Sequence, residues 1–225
     1  MDDYQGSMEE LDIVLKDINR VNTILGGYAI TLNAVFQLLE DNPQESYTIL
    51  DMGCAEGTIL RKVALAARKR NIKLMLVGVD LNEDAIELAR TYSTDFPEIR
   101  YLNQDVLTAD FSTTEIDVVM TTLTMHHFST PQILEFALRF NALAKLGVVI
   151  NDLQRSRVAY VLFQLFSLFF INSEIAKTDG LISIRRALTK KEIKGLAAQV
   201  PQVEHSVSWK WAFRYLWVMK RKSEY

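Results

Sequence analysis

The sequence holds a single cysteine, Cys54. An internal disulfide is excluded, and so is every zinc motif built from several cysteines. A reducing compartment, the cytoplasm, is the natural setting. Proline is scarce: Pro43, Pro97, Pro131 and Pro201 are all there is, and each falls where the pattern marks an element boundary. No Pro/Gly/Ser-rich linker, internal repeat or low-complexity tract divides the chain. Charge of one sign is not in excess, since 25 basic against 28 acidic residues leave a net −3. That balance exerts no strong pull on nucleic acid, and no nucleic-acid partner is expected. The N-terminal MDDYQGSMEELD is acidic and polar, unlike a secretory signal. The most apolar run, VAYVLFQLFSLFFI from Val158 to Ile171, is interrupted by Gln164 and Ser167. A bilayer core needs about 20 apolar residues, so this run is too short to span one. It reads as a buried helix or as an interfacial lid helix, and the second reading leaves peripheral membrane contact open. Nothing in the sequence sets an oligomeric state.

What remains is an ordinary globular composition: 225 residues, 49% hydrophobic and 24% charged. An α/β domain of this size buries a sizeable core without staples. Residues 8–40 read as helical, bent near Gly26-Gly27. A regular alternation follows. Strands are predicted at 47–52, 73–80, 99–105, 116–122 and 147–152. Helices are predicted at 58–70, at 82–96 with Asn82 as N-cap, and at 130–143 with Thr130 as cap and Pro131 at the first position. After a helical insertion come a helix at 188–200 and two closing strands, 203–211 and 213–221. Apolar strands without strict alternation are covered on both faces, and helices between them cross over. The expected fold is therefore α/β: a doubly wound, mostly parallel seven-stranded sheet with an antiparallel C-terminal hairpin and a helical cover. Ligands on such sheets bind beyond the carboxyl ends of the strands.

The first strand runs into Asp51-Met52-Gly53-Cys54-Ala55-Glu56-Gly57 and then a helix. Gly53 permits a tight turn close to a ligand, and Gly57 lets the helix start near the strand. No GK[ST] follows, so this is not a P-loop. Ala55 and Thr58 break the G-x-G-x-x-G of dinucleotide sites, and Asp51 would repel a pyrophosphate. A nicotinamide oxidoreductase is disfavoured accordingly, whereas an ammonium group would be welcome beside Asp51. The second strand ends in Asp80, whose two acceptor oxygens suit the hydroxyls of a ribose or, alternatively, cap the next helix. Beyond the third strand, Asp105 suits an adenine amino group or is a solvated turn acid. Each signal is modest alone. Three acids at successive strand ends, with a glycine loop at the first, are specific together.

ILDMGCAEGTIL, VGVDLNEDAIELAR, NQDVL and IDVVMTTLTMHHF resemble the successive motifs of class I S-adenosylmethionine-dependent methyltransferases, over roughly residues 45–152. WKWAFRYLWVMKR looks like that fold's final antiparallel pair. The family's E/D-x-G-x-G-x-G is departed from at Ala55, a mild change. The resemblance implies one domain, 1–225, with a helical cap (1–44), a cofactor-binding core (45–152), an insertion over the acceptor site (153–188) and a C-terminal helix with a strand pair (189–225). It implies S-adenosyl-L-methionine as cofactor and S-adenosyl-L-homocysteine as product. Asp51, Gly53, Cys54 and Gly57 would form the methionine end, Asp80 with Leu81 the ribose site, and Asp105 and Val106 the adenine site. Thr121 and Thr122 would line the methionine side.

The acceptor side begins at Met125-His126-His127-Phe128, where two of the three histidines sit together. A histidine takes a proton near neutral pH, and methyl transfer to a hydroxyl needs one removed. His127 is the first choice as base and His126 the second, unless both are structural. A metal pair is disfavoured, because adjacent histidines point apart and no third ligand is evident. Asp152 ends the fifth strand and either orients a substrate hydroxyl or pairs with Arg155. Tyr28, Arg155, Tyr160 and Phe163 are candidate acceptor contacts. Tyr160, Leu162, Phe163, Phe166, Leu168, Phe169 and Phe170 suit a hydrophobic pocket. Such a wall favours a small lipophilic or aromatic acceptor (a phenol, hydroquinone or polyketide-like molecule) methylated on oxygen or carbon. RNA would want basic and stacking residues on an open face. A macromolecular methyltransferase and a non-catalytic cofactor-binding relative are the remaining alternatives.

Overall fold

Strands apolar on both faces need helices on both faces, and the chain supplies them in alternation. The computed structural model describes residues 6–111 and 114–221. The ends of the expected unit, residues 1–5 and 222–225, lie outside the described residues. Seven strands form one sheet: β1 (Ser46–Met52), β2 (Lys73–Asp80), β3 (Ile99–Asn103), β4 (Ile116–Thr122), β5 (Ala144–Leu153), β6 (Val203–Lys210) and β7 (Arg214–Arg221). Their order is β3-β2-β1-β4-β5-β7-β6. The first five run parallel, and β7 pairs antiparallel with β5 and with β6. Strand order reverses between β1 and β4, which opens a crevice at their carboxyl ends.

Among the described residues, eight α-helices complete the fold: α1 (Met8–Ile24), α2 (Gly27–Asp41), α3 (Thr58–Arg70), α4 (Glu83–Tyr92), α5 (Thr130–Leu143), α6 (Arg157–Phe170), α7 (Glu174–Arg186) and α8 (Lys190–Ala197). One core joins α2, α3 and part of α4 to the sheet through Val35, Leu38, Leu60, Val63 and Ile86. The other joins α5 and α8 through Phe136, Phe140, Ile193 and Leu196. None of the described helices is long and apolar enough to cross a membrane.

Several boundaries differ from expectation for local reasons. The cap of α5 is Ser129, not Thr130, because Gln132 closes a reciprocal capping box with it, which moves Pro131 to the second helical position. α4 stops at Tyr92 because Ser93 and Phe96 turn the chain before Pro97. β3 stops at Asn103, and the Asp105 carbonyl accepts from Thr108 and Ala109 in a helical turn. Asn82 caps α4 as expected, accepting from the Ala85 amide at 2.9 Å.

Above the strand ends, α1, α6 and α7 pack through Val14, Ile171 and Ala176, with Ile18, Val21 and Phe163 against them. The bend at Gly26 uses a φ of +69°, which turns the chain from α1 into α2. Asn151 at the end of β5 fastens that corner, donating to the Gly27 carbonyl and the Thr31 hydroxyl at 2.9 Å each. Asp17, buried on α1, accepts from the amides of Asn172 and Ser173 at 2.8 and 2.7 Å and so ties α1 to the start of α7. Asp17→Ala removes two charge-assisted bonds and strands two amides. We expect a loss of about 2–3 kcal/mol by urea denaturation, with faster amide exchange at Asn172 and Ser173.

Candidate active site

The loop after β1 is built on backbone conformations that side chains resist. Gly53 and Gly57 have φ of +78° and +76°. A Cβ at Gly53 would run into Thr124, and one at Gly57 into the Tyr101 ring. Ala55 takes a φ of +45°, a left-handed conformation that costs an alanine about 1–2 kcal/mol. Asp80 holds it there: one carboxylate oxygen accepts from the Ala55 amide at 2.8 Å and the other from the Asn82 amide at 3.0 Å. The Gly53 and Cys54 amides both donate to the Val79 carbonyl, at 2.8 and 3.0 Å, which pins the loop to the end of β2.

Beneath this loop Asp51 is buried, and neither carboxylate oxygen has a hydrogen-bond partner among the described residues. Burial pushes its carboxyl well above the usual range, and the negative charges of Asp80 and Glu56 add to the effect. The same burial, with the same acids, holds the Cys54 thiol protonated. Glu56 itself is buried and accepts from Asn19 of α1 at 2.6 Å. A cavity of about 240 Å³ opens beside these acids, lined among others by Tyr28, Gly53, Asp80, Leu81, Thr122 and both histidines.

The histidines occupy a single 3-10 turn, Met125–His127, directly after β4. His126 is 4% exposed. Its Nδ1 lies 2.7 Å from one Asp152 oxygen, and its backbone N–H donates to the other at 3.3 Å. Burial works against ionisation of Asp152. His126, with the amides of Leu153 and His126, overcomes it and holds the carboxyl below its ordinary range. The His127 ring lies 4.4 Å from that of His126, centroid to centroid, on the same cavity wall.

A second cavity of about 390 Å³ adjoins the first, sharing Ile18, Asn22, Leu123, Leu153, Ala176 and Gly180 with it. Its other walls are mostly apolar, among them Leu162, Phe163 and Phe166 of α6, Ile184 of α7, and Trp211 and Phe213 of the β6–β7 turn. Among the described residues lining it, Arg214 is the one that carries a charge.

Residues 49–147 match the family described as a methyltransferase domain. A plantazolicin methyltransferase, BpumL, solved in complex with SAH, is similar with a TM-score of 0.67 at 17% identity over 92% of this chain and 90% of that one. The magnesium protoporphyrin IX methyltransferase ChlM of Synechocystis PCC 6803, with bound SAH, gives 0.60 at 15% over 87% and 84%. This is the class I methyltransferase fold. Among curated proteins, none matches the sequence.

Within the methyltransferase fold, Gly53, Cys54, Asp80, Leu81, Thr122, Tyr28, His126 and His127 line the first cavity, and Gly57 caps α3 at its edge. Asp51 lies below that lining. Other expectations need correction. Thr121 faces away: it is buried, and its hydroxyl donates to the Met52 carbonyl at 2.8 Å. Val106 is buried in the core, and Asp105 accepts from the Leu107 amide at 2.8 Å, so neither lines the cavity. Arg155 pairs with Glu192 rather than with Asp152 and lines no cavity described here. Tyr160 lies under Arg185, which donates to its hydroxyl at 3.0 Å, instead of in a pocket. Phe163 does line the second cavity, but α6 turns only one side inward, and Phe169 is 81% exposed. Asn19, Asn22, Glu56 and Arg214 were not foreseen. Arg214 alone left a sequence signal, as a cation inside the apolar run AFRYLWVM.

The raised carboxyl of Asp51 has a definite sign in stability. The folded state favours its protonated form, so this residue opposes folding increasingly as pH rises above the ordinary aspartate value of about 4. Asp51→Asn removes that charge. We expect the variant to be more stable at neutral pH by about 1 kcal/mol, a rise of about 2–4 °C in Tm by calorimetry, and to gain nothing near pH 3.

Proposed function

We propose that this protein transfers a methyl group from S-adenosylmethionine to a small lipophilic or aromatic acceptor, on oxygen or carbon. The observation that carries the reading is the unpartnered, buried carboxylate of Asp51 beneath a glycine loop, beside a cavity that opens into a second, apolar one. Those residues fit the cofactor. Asp51 and Glu56 complement an ammonium group, the bare backbone at Gly53 admits close approach, and Asp80 presents acceptors to ribose hydroxyls. Leu81, well exposed on the cavity rim, offers an apolar face to a base. When bound, S-adenosylmethionine supplies an electrophilic methyl group on a sulfonium and leaves as S-adenosylhomocysteine.

The remaining work falls to the chain. His126 is the better base of the pair, which reverses the order expected from sequence. Asp152 engages Nδ1, fixing the ring and leaving Nε2 to take the acceptor's proton. Asp152 is a positioning residue, because it acts through His126. The apolar walls exclude water and align the acceptor, and alignment is where most of the rate of such a displacement is available. Small-molecule acceptors also agree with the structural relatives, which are methyltransferases of plantazolicin and of magnesium protoporphyrin IX. The exposed apolar side of α6, with Leu165, Leu168 and Phe169 outward, favours acceptors met at an apolar surface.

Calorimetric titration with S-adenosylhomocysteine is the decisive test. We expect micromolar binding, weakened more than tenfold by Asp80→Ala. His126→Ala should keep that binding and lose about 10²–10⁴-fold in kcat on a panel of phenols and hydroquinones. Asp152→Asn should lower kcat and displace the pH profile with little change in KM. A folded wild type that binds neither S-adenosylmethionine nor S-adenosylhomocysteine overturns the proposal.

A further inference from the structure

Arg214 begins β7, in register with Leu153 of β5 and Lys210 of β6. Its side chain is turned inward and is 2% exposed. One nitrogen, Nη2, donates to Asn22 of α1 at 2.7 Å. Nε and Nη1 have no hydrogen-bond partner among the described residues. The room for this group is made by Gly27, where a Cβ would meet Cζ and Nη2 at 2.9 Å each. A buried guanidinium with idle N–H groups is costly unless an anion completes it. Two groups of the chain come into question, and both are committed elsewhere. Asp152 gives its oxygens to His126 and to the Leu153 amide. Tyr28 stays a neutral phenol, because burial raises its ionisation, and its hydroxyl donates to Asn19. Burial lowers the Arg214 ionisation only to about 10, so the group is a cation at neutral pH.

We infer that Arg214 is the anchor for a carboxylate on the methyl acceptor, and hence that the acceptor is a lipophilic acid with its apolar body in the second cavity. This rests on reading that cavity as the acceptor site. The carboxylate is the handle and not the methylated group, since Arg214 lines the second cavity and not the first, where both histidines are. A carboxylate fits better than a phosphate, whose greater charge one guanidinium does not balance. Its two oxygens can also engage two donors, the idle Nη1 and the second hydrogen of Nη2, which a single phenolate oxygen does not.

The test uses a hydroxynaphthoic acid and the matching uncharged amide, titrated into the wild-type protein. The acid should bind at least about tenfold tighter than the amide. Arg214→Gln should reduce that preference to below about threefold, and Arg214→Lys, which keeps the charge, should retain part of it. Should the glutamine variant fail to fold, the acid–amide comparison on the wild type decides alone. Equal binding of the two probes, binding of neither, or a preference that survives Arg214→Gln overturns the inference. A parallel titration with S-adenosylhomocysteine separates the two readings. If that ligand binds and the acid preference is absent, only the anchor falls; if it does not bind, the methyltransferase reading falls with it.

Discussion

The buried carboxylate of Asp51 has nothing to bond with among the described residues, and the architecture around it is costly in the same direction. Asp80 and Glu56 add like charge, and Ala55 is held in a left-handed conformation. A chain selected for stability alone would replace these groups. The strand crossover between β1 and β4 brings them together, because a doubly wound sheet reverses its order at one place and leaves the crevice there. Local strain and unpaired charge concentrate where a ligand completes the structure.

The cover depends on polar residues buried or half-buried along one helix. Asp17, Asn19 and Asn22 of α1 reach three different parts of the molecule: the start of α7, the glycine loop at Glu56, and the head of β7 at Arg214. Apolar packing through Val14 and Ile18 brings the helix to this place, but slippery contacts do not fix its register. The hydrogen bonds do. Through Asn22, the helix that closes the first cavity also holds the guanidinium at the wall of the second. A shift of α1 is therefore felt in both.

Much of this was legible in the chain order of the residues. Strand periodicity places Asp51, Asp80 and the His126-His127 pair at carboxyl ends, and a glycine loop at the first strand end names the crevice. The sequence could not say which of two adjacent histidines turns toward Asp152, since that depends on where the 3-10 turn begins after β4. It offers Arg155 as one of two roles for Asp152, as a partner near in sequence, whereas Glu192, much further along, takes Arg155 across the fold. Thr121 and Thr122 were treated alike, yet neighbours on a strand face opposite sides: Thr122 reaches the cavity and Thr121 the Met52 carbonyl. The bond between Arg214 and Asn22 joins the two ends of the chain, and no local pattern reports it.

The two cavities differ in charge as well as in wall. Asp80 and Glu56 on its wall, with Asp51 beneath, make the first a place for a cation, while Arg214, the one charged group among the described residues lining the second, makes that one a place for an anion. A molecule with the wrong charge meets repulsion at either end, in surroundings where water screens little. Orientation follows from that difference rather than from shape alone. An acid held at Arg214 presents its far end across Asn22, Leu123 and Leu153, the residues common to both cavities, toward His126. Discrimination of this kind comes from the penalty on the wrong arrangement as much as from the contacts of the right one. It explains why a pocket with mostly apolar walls keeps a buried arginine among them.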